Sequence, residues 1–482
     1  MPASSRPGSA SQQFWQWLLS ACAIALGSFQ LAHKDLWVDE AASAGFALGG
    51  PSSWIADHNM ALYYMLLSAW RRVFGISEIA LRAPSVLCFA LSVPLVYQIA
   101  RRSFGERCAR IAGALHVGNA FLLEFAQEAR GYMLMLALVL CAQLALLRLL
   151  ERPAWRWSVL YGVSLGLACY AHMFAVLTLL AHAVVLAPRL RRELFGALGL
   201  AAVISLPLFV QVASVTTEQV SWIRPITLQS LLFLPVIWTG GGALLGVLTC
   251  SLFAWFARGV WASDEVRIHT QLCVASVLAP LLAAIAASLW VAPMLLPKYL
   301  IGVVPALQLG AAAALAQLPR RWGRALGAVM LPLSVLRIHA WYTEQQKERW
   351  RDAVQYLNEH RQPTEPLIAD LPCPEPFDYY LTRRHLDKLW AAPRWPVRAW
   401  AFPIPNELPV ARDLVLEQLS RELPERIWLI DNRSARAPDL GALAAHYRVS
   451  SETRLAARGD TSDPLFGAQG ALLIRVRSLA RF

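Results

Sequence analysis

Asp39 and Glu40 stand side by side in the stretch "HKDLWVDEAASAGF" (33–46), just after Asp35, in a 482-residue chain of which only 16% is charged. A carboxylate at the rim of an apolar segment is the raw material for general base catalysis, taking the proton from an attacking hydroxyl. Other polar residues border apolar runs further along: Asp57 and His58, Glu128 and Arg130 in "QEARGY", His172 in "YAHMF" and Lys298 in "LPKYL". Cationic side chains of this kind can hold a phosphate. Each residue also has an ordinary alternative. Asp39 and Glu40 suit a solvated loop pair or a helix N-terminal cap, Glu128 and Arg130 an ion pair at a helix end, and His172 a packing role between spans. Lys298 can snorkel, and Asp57 and His58 can be plain loop residues.

The elements that must position these groups are membrane spans. The chain is 57% hydrophobic, with a mean hydropathy of +0.43. A soluble protein would carry roughly a quarter charged residues. Apolar runs of the length needed to cross a bilayer recur through the first 340 positions. The arginine clusters "RRSFGERCAR" (101–110), "RLLERPAWR" (148–156), "RLRRE" (189–193) and "PRRWGR" (319–324) fall between those runs. Short basic loops mark the cytoplasmic side. The net charge of +12 is therefore largely topological, and no nucleic-acid partner is expected.

Alternating the loops predicts about eleven transmembrane helices with the N-terminus inside. Their expected positions are 14–33, 79–100, 111–124, 131–150, 157–170, 173–188, 194–213, 231–257, 270–291, 299–317 and 325–341. The first is read as an uncleaved span. This topology places 34–78 outside as a first outer loop, with "MALYYMLLSAWRRVFG" (60–75) as an interfacial or re-entrant helix. It also puts Asp39, Glu40, Asp57, His58, Glu128, Arg130, His172 and Lys298 on one face. Residues 1–341 thus read as a polytopic α-helical domain and 342–482 as a small extracytoplasmic α/β domain. In the tail, 347–360 has helical spacing, 366–370, 426–432 and 471–479 read as strands, and 439–447 as a helix. Of the eight cysteines only Cys373 lies in the tail, so neither a disulfide framework nor a zinc site is expected.

The order of these motifs resembles a known family. "DLWVDEAAS", "DHNMALYYMLLSAWRRVFGISEIALRAPSVL" (57–87), "LLEFAQEARGYMLML" (122–136), "YAHMF" and "LPKYLIGVVPAL" are similar to the GT-C glycosyltransferases. The nearest branch is glycosyltransferase family 39 with its protein mannosyltransferase and aminoarabinose-transferase-like relatives. The likeness runs collinearly over about 35–340. One departure stands out: many relatives read D-x-H-P-P-L-Y-Y where this chain has Asp57-His58-Asn59-Met60-Ala61-Leu62-Tyr63-Tyr64. The paired prolines are absent and one residue is inserted, leaving open both the helix start and a role for His58.

The resemblance implies a GT-C fold and an inverting transfer of a monosaccharide from a polyprenyl-phosphate sugar to an acceptor hydroxyl at the outer membrane face. It aligns Asp39 with the family's acidic residue, the expected base, with Glu40 as second choice and Glu128 orienting the acceptor or Arg130. Arg130, Lys298 and Arg82 are the expected ligands of the leaving phosphate, although Arg82 equally suits a helix-positioning role. Tyr63, Tyr64, Tyr132, His172, Asp57 and His58 would line the substrate pocket. No metal-ligand spacing is evident. A divalent ion shared by Asp39 and Glu128 is conceivable within GT-C, but arginine can neutralise the phosphate alone, and metal independence is expected. The partners would be the lipid donor and a glycan, glycolipid or protein acceptor, and the location the plasma (inner) membrane. The rival class is a transporter or flippase of a lipid-linked or anionic solute. Against it stand charges confined to one rim, no half-repeat and a folded outer tail.

Overall fold

The computed structural model describes residues 10–56, 59–187, 192–213, 223–261, 264–344, 347–362, 364–370, 376–377, 379–381, 398–399, 421, 423–431, 444–456 and 473–481. The chain divides into two compact units. One is built from Met1–Leu31 and Phe46–Thr343, the other from Ala32–Gly45, Glu344–Pro464 and Gln469–Phe482. The acidic stretch of the first outer loop therefore belongs to the same unit as the tail.

The first unit is helical. Helix α1 (Ala10–Ser28) is followed by the short outer-loop helices α2 (Val38–Gly49), α3 (Pro51–Ala56) and α4 (Ala61–Phe74). The boundary between the units falls within α2, at residues 45 and 46. Helix α4 buries Tyr63, Tyr64, Leu67 and Ser68 while Met65, Leu66 and Val73 on its other side are exposed, so the helix is one-sided as its sequence predicts. The long apolar helices are α5 (Glu78–Phe104), capped by the Ser77 side chain, α8 (Tyr132–Glu151), α11 (Arg192–Val212), α14 (Asp264–Trp290) and α16 (Arg320–Thr343). Between them lie α6 (Glu106–Val117), α7 (Ala120–Ala126), α9 (Trp155–Ala171), α10 (Val176–Leu186), α12 (Leu228–Trp238), α13 (Ala243–Ala257) and α15 (Val303–Gln317).

By length and composition, 5 described helices suffice to cross a membrane, or 6 when α12 and α13 are taken as one bent span. Two of the expected spans differ in form from the sequence reading. The one at 111–124 is broken at Gly118-Asn119, where the Asn119 side chain accepts from the Leu122 amide and restarts the chain as α7. The one at 231–257 bends by 89°. At that bend Gly240 and Gly241 adopt φ of +93° and +86°, conformations that need glycine. The Arg337 guanidinium donates to the Gly240 carbonyl at 2.6 Å, satisfying backbone that the break exposes.

Polar side chains inside the bundle are likewise paired. His116 sits between Ser92 at 2.7 Å and Gln308 at 3.0 Å, tying α6 to α5 and α15. Such intramembrane hydrogen bonds fix helix order at modest energetic gain.

The second unit contains helix α17 (Trp350–His360), whose Trp350, Ala353, Val354 and Leu357 are buried as their spacing predicts. Its sheet is made of β1 (Leu367–Asp370), β2 (Arg398–Ala399), β3 (Arg426–Asp431), β4 (Tyr447–Ala456) and β5 (Leu473–Arg481), in the order β2-β1-β3-β5-β4. The β1 pairings with β2 and β3 are parallel and the β5 pairings with β3 and β4 antiparallel. Asp431 pairs with both Arg475 and Arg477 across the β3–β5 ladder. The helix expected at 439–447 lies mostly outside the described residues, and Tyr447 opens a strand instead.

Candidate active site

Helix α2 carries the acidic pair. Asp39 and Glu40 both lie in its first turn, where carboxylates complement the helix dipole. Their environments differ. Glu40 is fully buried, and its Oε2 lies 2.8 Å from the Lys347 Nζ. Asp39 is half-buried, and its carbonyl accepts from the Ser43 hydroxyl at 2.8 Å. Upstream, Asp35 accepts from the Arg351 amide at 2.7 Å and meets its guanidinium at 3.1 Å. The Leu36 amide donates to the Tyr380 hydroxyl at 2.8 Å. The loop of the sequence reading is therefore anchored structure.

The cationic side chains belong to the helical unit. The turn between α7 and α8 presents Glu128 and Arg130, both buried. Arg130 Nη1 donates to the Tyr64 hydroxyl at 3.3 Å, and Tyr64 stacks on Phe46 with ring centroids 5.0 Å apart. Tyr63 packs edge-on against Tyr64. Gly131 permits the close approach of this turn to the next, since an added Cβ would lie 2.2 Å from the Ala171 carbonyl oxygen. Tyr132 faces His172 at 4.9 Å, and His172 in turn faces Tyr299, the neighbour of Lys298, at 5.3 Å. The Trp238 indole holds the Lys298 turn by donating to the Pro297 carbonyl at 3.1 Å. Tyr63, Tyr64, Arg130, Tyr132, His172 and the Lys298 turn are thus linked by a chain of contacts.

Arg82 is placed differently. It is buried, and its Nη1 donates to the Leu31 carbonyl at 2.7 Å, closing the turn after α1. That contact matches the helix-positioning reading. Asp57 and His58 lie outside the described residues. Just after them, Asn59 accepts from the Met173 amide at 3.1 Å, and the buried Met60 accepts from the Gly131 amide through sulfur at 3.4 Å; α4 starts at Ala61.

Several contributors escaped the sequence reading. Gln127 donates to the carbonyls of Gly27 and Phe29 and accepts from the Trp341 indole at 2.7 Å, so it fastens the motif turn to the C-terminal ends of α1 and α16. Lys347 had no signal at all, because its partner is 307 positions away. Among the described residues, no group of three or more His, Cys, Asp or Glu side chains is arranged to hold a metal ion.

Comparison with known proteins agrees with this architecture. Residues 57–217 match the family model described as dolichyl-phosphate-mannose-protein mannosyltransferase. ArnT from Cupriavidus metallidurans superposes with a TM-score of 0.61 at 16% identity, covering 97% of this chain and 98% of that one. The chain thus shares its fold with ArnT. A second ArnT structure with the same similarity is bound to undecaprenyl phosphate. The GT-C oligosaccharyltransferase AglB from Archaeoglobus fulgidus, in complex with an inhibitory peptide and a dolichol-phosphate, gives 0.55 at 11% identity over 88% of this chain and 70% of that one. The arabinofuranosyltransferase AftD from Mycobacteria gives 0.53 at 14% identity, over 97% of this chain and 40% of that one. No curated protein matches.

Proposed function

We propose that this GT-C chain is an inverting glycosyltransferase that moves a hexose or pentose from a polyprenyl-phosphate sugar to an acceptor hydroxyl. The observation that carries the reading is the buried Arg130 guanidinium, held by Tyr64 in the "QEARGY" turn of a GT-C fold. Ionisable side chains buried in a polytopic membrane chain mark substrate pathways. A lipid phosphate is a group that a guanidinium suits, and the likeness to a structure bound to undecaprenyl phosphate supports it.

In this reading Asp39 takes the acceptor proton as the hydroxyl oxygen attacks the sugar C1 from the face opposite the phosphate. The C1–O bond breaks, and its electron pair stays on the departing phosphate. Arg130 and Lys298 oppose the growing charge, a stabilisation realised in the transition state. Tyr132 and His172 line the sugar pocket, and Glu128 orients the acceptor or Arg130. These cations suffice for the leaving group, so transfer is metal-independent. The acceptor is a cell-envelope glycan, glycolipid or protein. The chain crosses the plasma membrane about eleven times, with its N-terminus in the cytoplasm and its tail and active site outside.

The break between α12 and α13 bears on the transporter alternative. Transporters combine broken helices with repeated halves; here the sequence shows no half-repeat, and the Arg337 guanidinium at the break is bound to the Gly240 carbonyl. The test is to incubate the purified full chain with undecaprenyl-phosphate mannose, arabinose and galactosamine. One donor should raise the melting temperature and release undecaprenyl phosphate when acceptor is present. Stabilisation without release, whatever the acceptor, would favour transport.

A further inference from the structure

Resting on that glycosyl-transfer reading, we propose that Lys347 is a positioning residue for the reaction. It commits Glu40 to structure and so orients the turn of α2 from which Asp39 is presented to the acceptor hydroxyl. The pair is one of several anchors within the second unit. Lys347 and Glu40 meet at 2.8 Å with side-chain exposures of 7% and 0%. The same Glu40 oxygen lies 3.5 Å from the Trp37 amide at the start of α2, so a single carboxylate both caps the helix and receives the ammonium. Four residues further along the tail, Arg351 grips Asp35 and donates to the Ala32 carbonyl at 3.0 Å. Residues 32–40 are therefore oriented by 347–351.

Adjacent carboxylates in one helical turn point about 100° apart, a consequence of 3.6 residues per turn. Fixing Glu40 inward thus fixes where Asp39 points. The charge balance leads to the same role. Asp35 is matched by Arg351 and Glu40 by Lys347, while the buried Glu348 adds a further acid between those two pairs. Removing Lys347 takes a cation at 2.8 Å away from a fully buried carboxylate in the turn that carries Asp39. Such a group is strongly driven to move or to bind a proton. Either response turns α2 and displaces Asp39 from the geometry that proton transfer requires.

The test uses the full-length protein with whichever donor of the panel is turned over. Lys347→Met should lower kcat ~10- to 100-fold, the scale on which small losses of orientation act, while KM for the lipid donor stays within ~3-fold. Lys347→Arg should keep most of kcat, because it retains the charge. The double variant Glu40→Gln/Lys347→Met should recover much of the loss, since it removes the buried negative charge together with its cation. Retention of full kcat by Lys347→Met would overturn the proposal. So would a kcat loss that tracks a fallen melting temperature and is not recovered in the double variant. Absence of transfer from the wild-type protein is a different outcome, and it would reject the glycosyltransferase reading itself.

Discussion

Arg130 Nη1 donates to the Tyr64 hydroxyl at 3.3 Å, joining the "QEARGY" turn to the amphipathic helix of the first outer loop. A guanidinium can engage phosphate through two parallel bonds, whereas an ammonium is a point charge. Arg130→Lys should therefore lower kcat by ~10²- to 10³-fold, as loss of a transition-state donor does. Tyr64→Phe, which removes only the orienting hydroxyl, should cost ~10-fold or less. Steady-state rates of undecaprenyl-phosphate release decide this, and a lysine variant at wild-type rate would remove Arg130 from the phosphate site.

Gly131 makes a second prediction. Gly131→Ala puts a methyl group 2.2 Å from the Ala171 carbonyl oxygen, so backbone must move. A loss of about 1–3 kcal/mol is expected from overpacking, together with an activity loss through the adjacent Arg130. Gly199 in α11 has nothing within 4 Å of its built Cβ, so Gly199→Ala should leave the melting temperature unchanged or higher. Equal effects at the two positions would contradict the close approach.

Glu348 gives the pH dependence. Burial pushes its carboxyl up, and the negative charges of Asp39 and Asp35 add to the shift. Its Oε2 is buried without a hydrogen-bond partner among the described residues. A raised carboxyl contributes most stability below the unfolded value of about 4.3 and loses it as pH rises through the folded value. Glu348→Gln, which mimics the protonated form, should melt higher than wild type at pH 8 and no higher at pH 4. Melting curves at both values check the sign, and a pH-independent difference would contradict it.

The legible parts of the molecule are those governed by local pattern. The long spans such as Glu78–Phe104 and Tyr132–Glu151 follow from apolar length, and Trp350–His360 from its buried spacing. The order of "QEARGY", "YAHMF" and "LPKYL" pointed to turns that the structure links through Tyr132, His172 and Tyr299. The break at Gly118-Asn119 went unread because one cap residue redirects an otherwise apolar run. The strand Tyr447–Ala456 escaped because its polar Ser, Glu, Thr and Arg residues hide the alternation. The different fates of adjacent Asp39 and Glu40 depend on Lys347, a contact that no local window contains.

The central claim concerns Asp39 and is tested most directly by the transfer rate of Asp39→Asn, with undecaprenyl-phosphate binding followed alongside. If Asp39 is the proton acceptor, transfer should fall by ~10²- to 10⁴-fold, the usual contribution of a general base, while the lipid still raises the melting temperature. Transfer close to the wild-type rate would show that the proton goes elsewhere.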